Sequence, residues 1–391
     1  MTNAERRGNP MVLKGIKIKL YPTEKQKIFI DRNLALNRFV WNQLLAMQQA
    51  RHENGGRYVG KYAMHNLMKP LKWEFPFLKE ADSTSLEYTS DDLDAAFQRF
   101  FNKQNGYPRF KSRKRPKSTY TTKCINNSIT VVDNHYIQMP KLKLVKCHGA
   151  HRITGRIMRA TIRKEPDGSY TATILVEEAV PILPKTGAIV GLDMGITHLV
   201  IQSDGYKLKN KQFERALAKQ KRIWQRKFAR RRERALREIA AAKANGVELQ
   251  LTDFKNLQKA KQQVARINKR IKNQRLNYLH HYTTQLVKEH DIIVMEDLKT
   301  KNLMKNHHLA RSIADASWGI IKNLLTYKCA WHKKELILVK PHYTSQTCSH
   351  CGMNTGKKPL HIRMFNCPHC HTVGIDRDIN AAVNIRNKAF A

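Results

Sequence analysis

The sequence predicts an α+β chain of several domains, and three observations carry that prediction. Short runs that alternate polar and apolar residues, or are apolar throughout, mark strands near the N-terminus, between residues 128 and 179, and again beyond residue 186. Between them lie long stretches whose apolar residues recur at helical spacing. Two C-x2-C pairs near the C-terminus mark a small module built on a metal. With 391 residues the chain is long enough for two or three domains with cores of their own.

Residues 1–10 read as a flexible polar extension, and Met11 is an alternative start. Leu13 to Tyr21 alternates charged and apolar residues, the pattern of a half-buried strand. Pro22-Thr23 followed by Gln26 opens a helix with a capping box, continued by Phe29, Leu34, Phe39, Val40, Leu44 and Leu45. A second helical stretch runs from about Ser85 to Phe101. Strand signals return at Ile129–Val132, Tyr136–Met139, Ile153–Ile162 and Tyr170–Val176, separated by turns such as Pro166-Asp167-Gly168. Residues 11–22 and 120–185 are therefore expected to form a wedge-like β-barrel, with the helices of 23–119 inserted into it. Pro181 to Lys185 serves as a linker.

Beyond the linker, Ile189–Ile196 and Thr197–Ile201 read as a hairpin, and Asp291–Leu298 and Leu336–Val339 as further strands. The segment at about 206–280 reads as an antiparallel helical hairpin. Phe213, Leu217, Trp224, Phe228, Ala235 and Ile239 make one seam, and Leu257, Val264, Ile271 and Tyr278, seven apart, make the other.

Charge narrows the function. The chain has 72 Lys and Arg against 31 Asp and Glu, an excess of +41 that a polyanion must neutralise. Residues 211–238 hold twelve Lys and Arg against three Glu, making Arg226, Lys227 and Arg230 candidate nucleic-acid contacts. Between Asn102 and Tyr120 seven Lys and Arg stand with no acid, interleaved with Tyr107 and Phe110. Bases can stack on such rings while phosphates pair with the cations, which nominates Arg109, Lys111, Arg113, Lys114 and Arg115. No apolar run approaches the roughly 18 residues of a membrane span, and the polar start lacks a signal peptide's apolar stretch. A cytoplasmic, nucleoid-associated protein with no membrane partner is expected. A secreted disulfide scaffold, a membrane protein and an acidic activation domain are excluded.

Four of the seven cysteines, Cys348, Cys351, Cys367 and Cys370, have the spacing of a zinc ribbon, so one structural Zn2+ is expected. Gly352 and Pro368 supply the turns, while Cys124, Cys147 and Cys329 read as small buried hydrophobes.

In so basic a chain, acids inside apolar runs stand out. Asp193 sits on the first strand of the hairpin, Glu296 ends a later strand, and Asp378 enters a short C-terminal helix. Singly, each has an ordinary reading: a turn former, a salt bridge, a helix N-cap. Together they have the order in which an RNase H-like sheet gathers carboxylates around two Mg2+ ions for phosphodiester chemistry.

The segments Ile189–Gly195, Val294–Leu298, Leu309–Trp318, Thr347–Gly352 and Asp376–Ala382 resemble the OrfB/TnpB proteins of insertion sequences, themselves similar to compact type V CRISPR effectors. The resemblance implies a RuvC-like nuclease domain at 186–342 and 373–391, with the zinc ribbon at 343–372. It implies an endonuclease that carries a guide RNA from the transposon end and cuts double-stranded DNA beside a short adjacent motif, monomeric with its RNA. By the family pattern Asp193, Glu296 and Asp378 are catalytic, with Asp376, two residues away, the alternative to the last. A strand-joining transposase on the same fold and a non-catalytic nucleic-acid-binding repressor are the rival readings.

Overall fold

The computed structural model describes residues 9–113, 118–299, 302, 317–359 and 361–390. The fold is α+β and divides into two units, Met11–Ala179 and Val180–Ala391, the second also including the residues before Met11. Lys114 and Arg115 lie outside the described residues, as does most of the Leu309–Trp318 segment.

In the first unit β1 (Met11–Tyr21) buries alternate residues, Ile16, Ile18 and Leu20. α1 (Glu24–Glu53) starts with the expected capping box: Thr23 accepts from the Gln26 amide, and the Gln26 side chain accepts from the Thr23 amide. Gln26 Nε2 also donates to the carbonyls of Leu142 and Leu144, tying the helix start to the sheet. α2 (Lys61–Asn66) and α3 (Met68–Glu74) are too short to show a helical period in sequence. α4 (Ser83–Phe101) lies against α1, and Val40, Leu44 and Leu45 share a core with Leu86, Leu93 and Phe97. The strands β2 (Thr119–Lys123), β3 (Thr130–Val131), β4 (Tyr136–Met139), β5 (Lys143–His148), β6 (Arg156–Lys164) and β7 (Tyr170–Ala179) complete a sheet of order β2-β6-β7-β1-β5-β4-β3. Every pairing is antiparallel, and one core collects Tyr120 near one end of the order and Ile137 near the other. β2 and β5 were not marked as strands in the sequence; in β5 the exposed Leu144 beside buried Val145 breaks the alternation.

The second unit is built on β8 (Ile189–Asp193), β9 (His198–Gln202), β10 (Lys207–Lys209), β11 (Ile292–Glu296) and β12 (Glu335–Val339). Between β10 and β11 run α5 (Phe213–Ala216), α6 (Ala218–Ala244) and α7 (Lys255–Glu289), and α8 (Trp318–His332) precedes β12. The sheet order is β10-β9-β8-β11-β12. β9 pairs antiparallel with β8, whereas β11 runs parallel to both β8 and β12. The apolar runs of β8 and β11 follow from burial on both faces. One face packs on Leu279, Leu286, Ile321 and Leu325 of α7 and α8. The other meets Ile385 of the C-terminal helix. α6 fully buries only Ala235 and half-buries Trp224, Phe228 and Ile239 of the same seam, so its outer surface stays cationic and solvated. The far half of α7 pairs with α6 while its last turns belong to the sheet core.

After β13 (Met364–Phe365) and β14 (Ile375–Asp376) the chain ends in α9 (Arg377–Asn387). α9 crosses β8 at Gly191, where a Cβ would stand 2.1 Å from the Ala382 carbonyl oxygen and 2.7 Å from the Arg386 amide nitrogen. Only a residue without a side chain permits that approach. Gly191→Ala is expected to destabilise the protein by about 3 kcal/mol or more, the upper end for overpacking. Urea unfolding measures this, and a variant as stable as the parent would contradict the crossing.

Candidate functional site

The cysteine site is two copies of one turn. Cys348 N–H donates to the Met353 carbonyl and Gly352 N–H to the Cys348 carbonyl; Cys367 N–H donates to Thr372 and His371 N–H to Cys367 in the same way. Each turn needs a left-handed residue at the same place, Gly352 at φ 74° and His371 at φ 58°. Pro368 lies in the second turn, as expected, and His371 closes it in the left-handed conformation that Gly352 takes in the first. The thiols of Cys348 and Cys370 lie 3.8 Å apart and those of Cys351 and Cys367 3.7 Å apart, and all four sulfurs fall within 4.8 Å of one another. A tetrahedron with Zn–S of about 2.3 Å has edges of about 3.8 Å, so the tetrad fits zinc as it stands. The Thr372 hydroxyl, 3.2 Å from Cys370 Sγ, and the Thr372 amide lower that thiol, while Cys351, against the pull of the Met353 amide, is raised by burial and the three other cysteines, the opposed shifts of thiols crowded together.

The carboxylates meet through register. Met295 sits opposite Leu192 on parallel strands, so the next residues, Glu296 and Asp193, emerge at the same end of neighbouring strands. α9, laid across β8 at Gly191, brings Asp378 to the same place. Asp193 is half-buried, and its carboxyl is pushed up to about 7, first by burial and then by the charges of Glu296 and Asp378. The amide of Met194 and the Arg377 guanidinium only partly offset this.

Other acids of the unit behave otherwise. Lys334 and the amides of Thr186 and Gly187 hold Asp291 well below the usual carboxylate range, and Lys322 does the same for exposed Asp297. Asp376, despite the cost of its burial, is held low by Lys207 at 2.5 Å. Its Oδ1 also caps α9, accepting from the amides of Asp378 and Ile379. The N-cap of α9 is thus Asp376, which leaves the Asp378 side chain free of that role.

Each remaining acid of the cluster has a local partner. Glu296, 8% exposed, accepts from Thr344 Oγ1 at 2.8 Å. Asp378 pairs with Arg363 Nη1 at 3.1 Å. The three carboxylates share a field, but among the described residues only the cysteine tetrad has at least three ligand atoms within 4.8 Å. Hard oxygen donors that lack enough positive charge among themselves suit a hard divalent cation such as Mg2+. Thr344 and Arg363 carried no signal in the sequence; Arg377 was marked only by its position between two acids.

The cationic candidates fall in both units. In the first, Trp41 Nε1 donates to the Arg109 carbonyl at 3.0 Å, and Asn42 bonds both the amide and the carbonyl of Lys111. Lys111 Nζ stands 3.2 Å from the centre of the Trp41 ring. The chain carrying exposed Arg109 and Arg113 is therefore pinned to α1. Tyr107 packs on Phe97 and Phe100, whereas Phe110 remains half exposed. In the second unit Arg226 and Arg230 are exposed on α6, and Lys227 lies over Trp224. No helix among the described residues is long and apolar enough to cross a membrane.

A two-unit α+β protein with a four-cysteine knuckle beside an acidic strand-end cluster is a defined class, and comparison with known proteins narrows it. The family model described as "Probable transposase", of the IS605 OrfB type, matches residues 173–307. A "Cas12f1-like, TNB domain" matches 318–385. A "Helix-turn-helix domain" of IS605 OrfB matches 11–57, which here is a strand followed by one 30-residue helix. A "Putative RNA-guided DNA endonuclease" of Streptomyces pristinaespiralis is 33% identical over 96% of this chain and 89% of its own length. A "Putative RNA-guided DNA endonuclease InsQ" of Escherichia coli strain K12 is 30% identical, with 95% and 91% covered. Cas12f1, solved by cryo-EM with sgRNA and target DNA, shares the fold at a TM-score of 0.59 and 12% identity, covering 97% of this chain and 99% of that one. The chain belongs to the OrfB/TnpB family.

Because folding raises the Asp193 carboxyl from the ordinary value to about 7, the stability it contributes is full below about pH 4 and is lost as pH rises through 7. Without added divalent ions, Asp193→Asn is expected to raise the melting temperature at pH 8, and the gain should vanish toward pH 4. Differential scanning calorimetry across that range decides it, and a variant no more stable at pH 8 would contradict the crowded-carboxylate field.

Proposed function

We propose that the protein is an RNA-guided DNA endonuclease whose five-stranded sheet is an RNase H-like, RuvC-type core. Asp193, Glu296 and Asp378 hold its catalytic Mg2+, two ions in all. One observation carries this reading: in a chain with a +41 excess, three carboxylates share a field that leaves Asp193 raised to about 7, while Asp297 and Asp376 beside them, and Asp291 at the other end of β11, are each paired with a lysine. An anionic spot kept short of counter-charge is what a site for hard cations requires. The relatives' names supply the activity class, and the likeness to Cas12f1 supports the fold.

When bound, the ions supply stabilisation of the charge that develops on the phosphoryl, attacking and leaving oxygens. The chain's own groups prepare that chemistry. The parallel register and the Gly191 crossing bring the three acids together, and Thr344 orients Glu296. Arg363 and Arg377 border the site and can engage the phosphate backbone. One structural zinc in the cysteine tetrad holds the ribbon at 343–372. The seven-stranded sheet serves as the wedge-like barrel, with the helices of 23–119 inserted. Arg109, Lys111, Arg113, Lys114 and Arg115 in that unit, and Arg226, Lys227 and Arg230 on α6, neutralise guide and target backbones, while base pairing reads the sequence. The protein works in the cytoplasm at the nucleoid, as a monomer with its RNA.

Expression with its flanking RNA tests the reading. One discrete copurifying RNA is expected, together with Mg2+-dependent cleavage of a plasmid matched to its variable end. Asp193→Ala, Glu296→Gln and Asp378→Asn should each drop cleavage to background, and Asp376→Asn should retain part of it. A fully active Asp193→Ala would refute the catalytic assignment. Joined strands formed without guide RNA would instead identify a transposase.

A further inference from the structure

Thr344 lies in the loop between β12 and the first cysteine knuckle and is 8% exposed. Its hydroxyl donates to Glu296 Oε1 at 2.8 Å, so one oxygen of the carboxylate is fixed relative to the sheet. Thr344 is itself held from α9: Asn384 Nδ2 donates to the Thr344 carbonyl at 2.9 Å and to the Thr347 carbonyl at 2.7 Å. One turn earlier, Asn380 Nδ2 donates to the same Thr347 carbonyl at 2.7 Å, and Asn380 Oδ1 accepts from the Ser349 amide at 2.7 Å. Thr347 and Ser349 flank Cys348, so two asparagines on one helix face clamp the knuckle while the same helix carries Asp378. Asn380 and Asn384 are buried, 2% and 8% exposed, and spend their amides on this loop. A buried polar chain that is fully paired fixes a single arrangement.

We propose that Thr344 is a positioning residue for Glu296, held in register by Asn384 and Asn380, so that the cysteine knuckle and the carboxylate cluster act as one unit. The proposal rests on Glu296 being a metal ligand. Partners that orient metal-binding carboxylates are worth roughly 10–100-fold in metal affinity.

The test uses the full chain and Mn2+ as the probe, with free Mn2+ followed by electron paramagnetic resonance. Thr344→Val, which keeps the shape and removes the hydroxyl, is expected to weaken Mn2+ binding about tenfold or more, with one zinc per chain retained. Thr344→Ser, which restores the hydroxyl, should recover it. In a Glu296→Gln background, Thr344→Val should cost nothing further, because the hydroxyl then has no charged ligand to orient. Thr344→Ala takes the place of the valine variant if that one fails to fold. Unchanged Mn2+ affinity in Thr344→Val, with Glu296→Gln clearly weakened, would overturn the positioning role and leave the nuclease site intact. Unchanged affinity in Glu296→Gln itself would overturn the ligand assignment, and the proposal with it.

Discussion

The second unit depends on one close approach between backbones. Because Gly191 has no side chain, α9 can lie on β8 with its Ala382 carbonyl where a Cβ would otherwise be. That contact lets a single helix do three jobs. Its cap, Asp376, fixes the helix start and engages Lys207. Its first turn brings Asp378 to the ends of β8 and β11. Its inner face, through Asn380 and Asn384, grips the loop that enters the cysteine knuckle. Residues nearly two hundred positions apart in the chain are joined there, with Ile385 packed on Val294 and Val339 beside the contact.

The electrostatic consequence is concentrated at one spot. Lysines are abundant in the second unit and reach Asp291, Asp297 and Asp376 at hydrogen-bonding distance. The cluster receives much less. Arg363 reaches Asp378, a hydroxyl reaches Glu296, and Asp193 is left to take up a proton near neutrality. Repulsion of this kind costs stability, and a fold retains it where a cation is to be bound. The zinc tetrad is the opposite case. Its two matched turns are closed by local backbone hydrogen bonds, and the first is also held by Asn380 and Asn384 of α9.

Much of this was legible in the sequence because the relevant signals are local. The C-x2-C pairs, the capping box at Thr23, the apolar runs of β8 and β11 and the acids that end them are short-range patterns. The family resemblance added the order in which the acids combine. What could not be read is what depends on packing. Lys143–His148 is a strand because its partners bury Val145 and Cys147, not because its own residues alternate cleanly. α2 and α3 are single turns or little more, below the length at which periodicity appears. That Asp376 is engaged by the helix cap and a lysine, and Asp378 by an arginine, is likewise a matter of packing. Thr344 carries no motif of its own, since a threonine near the middle of the sheet-to-knuckle loop looks like any other loop residue until Glu296 is seen beside it.

The central claim is that Asp193, Glu296 and Asp378 form one divalent-cation site. Crystals of the protein soaked in Mn2+ as an anomalous stand-in for Mg2+ test it most directly. The account predicts an anomalous peak within about 2.1 Å of oxygens from all three carboxylates, the hard-cation distance, with Arg363 withdrawn from Asp378. A peak held instead by Asp376 or Asp297, or three carboxylates that stay apart with no ion between them, would contradict it.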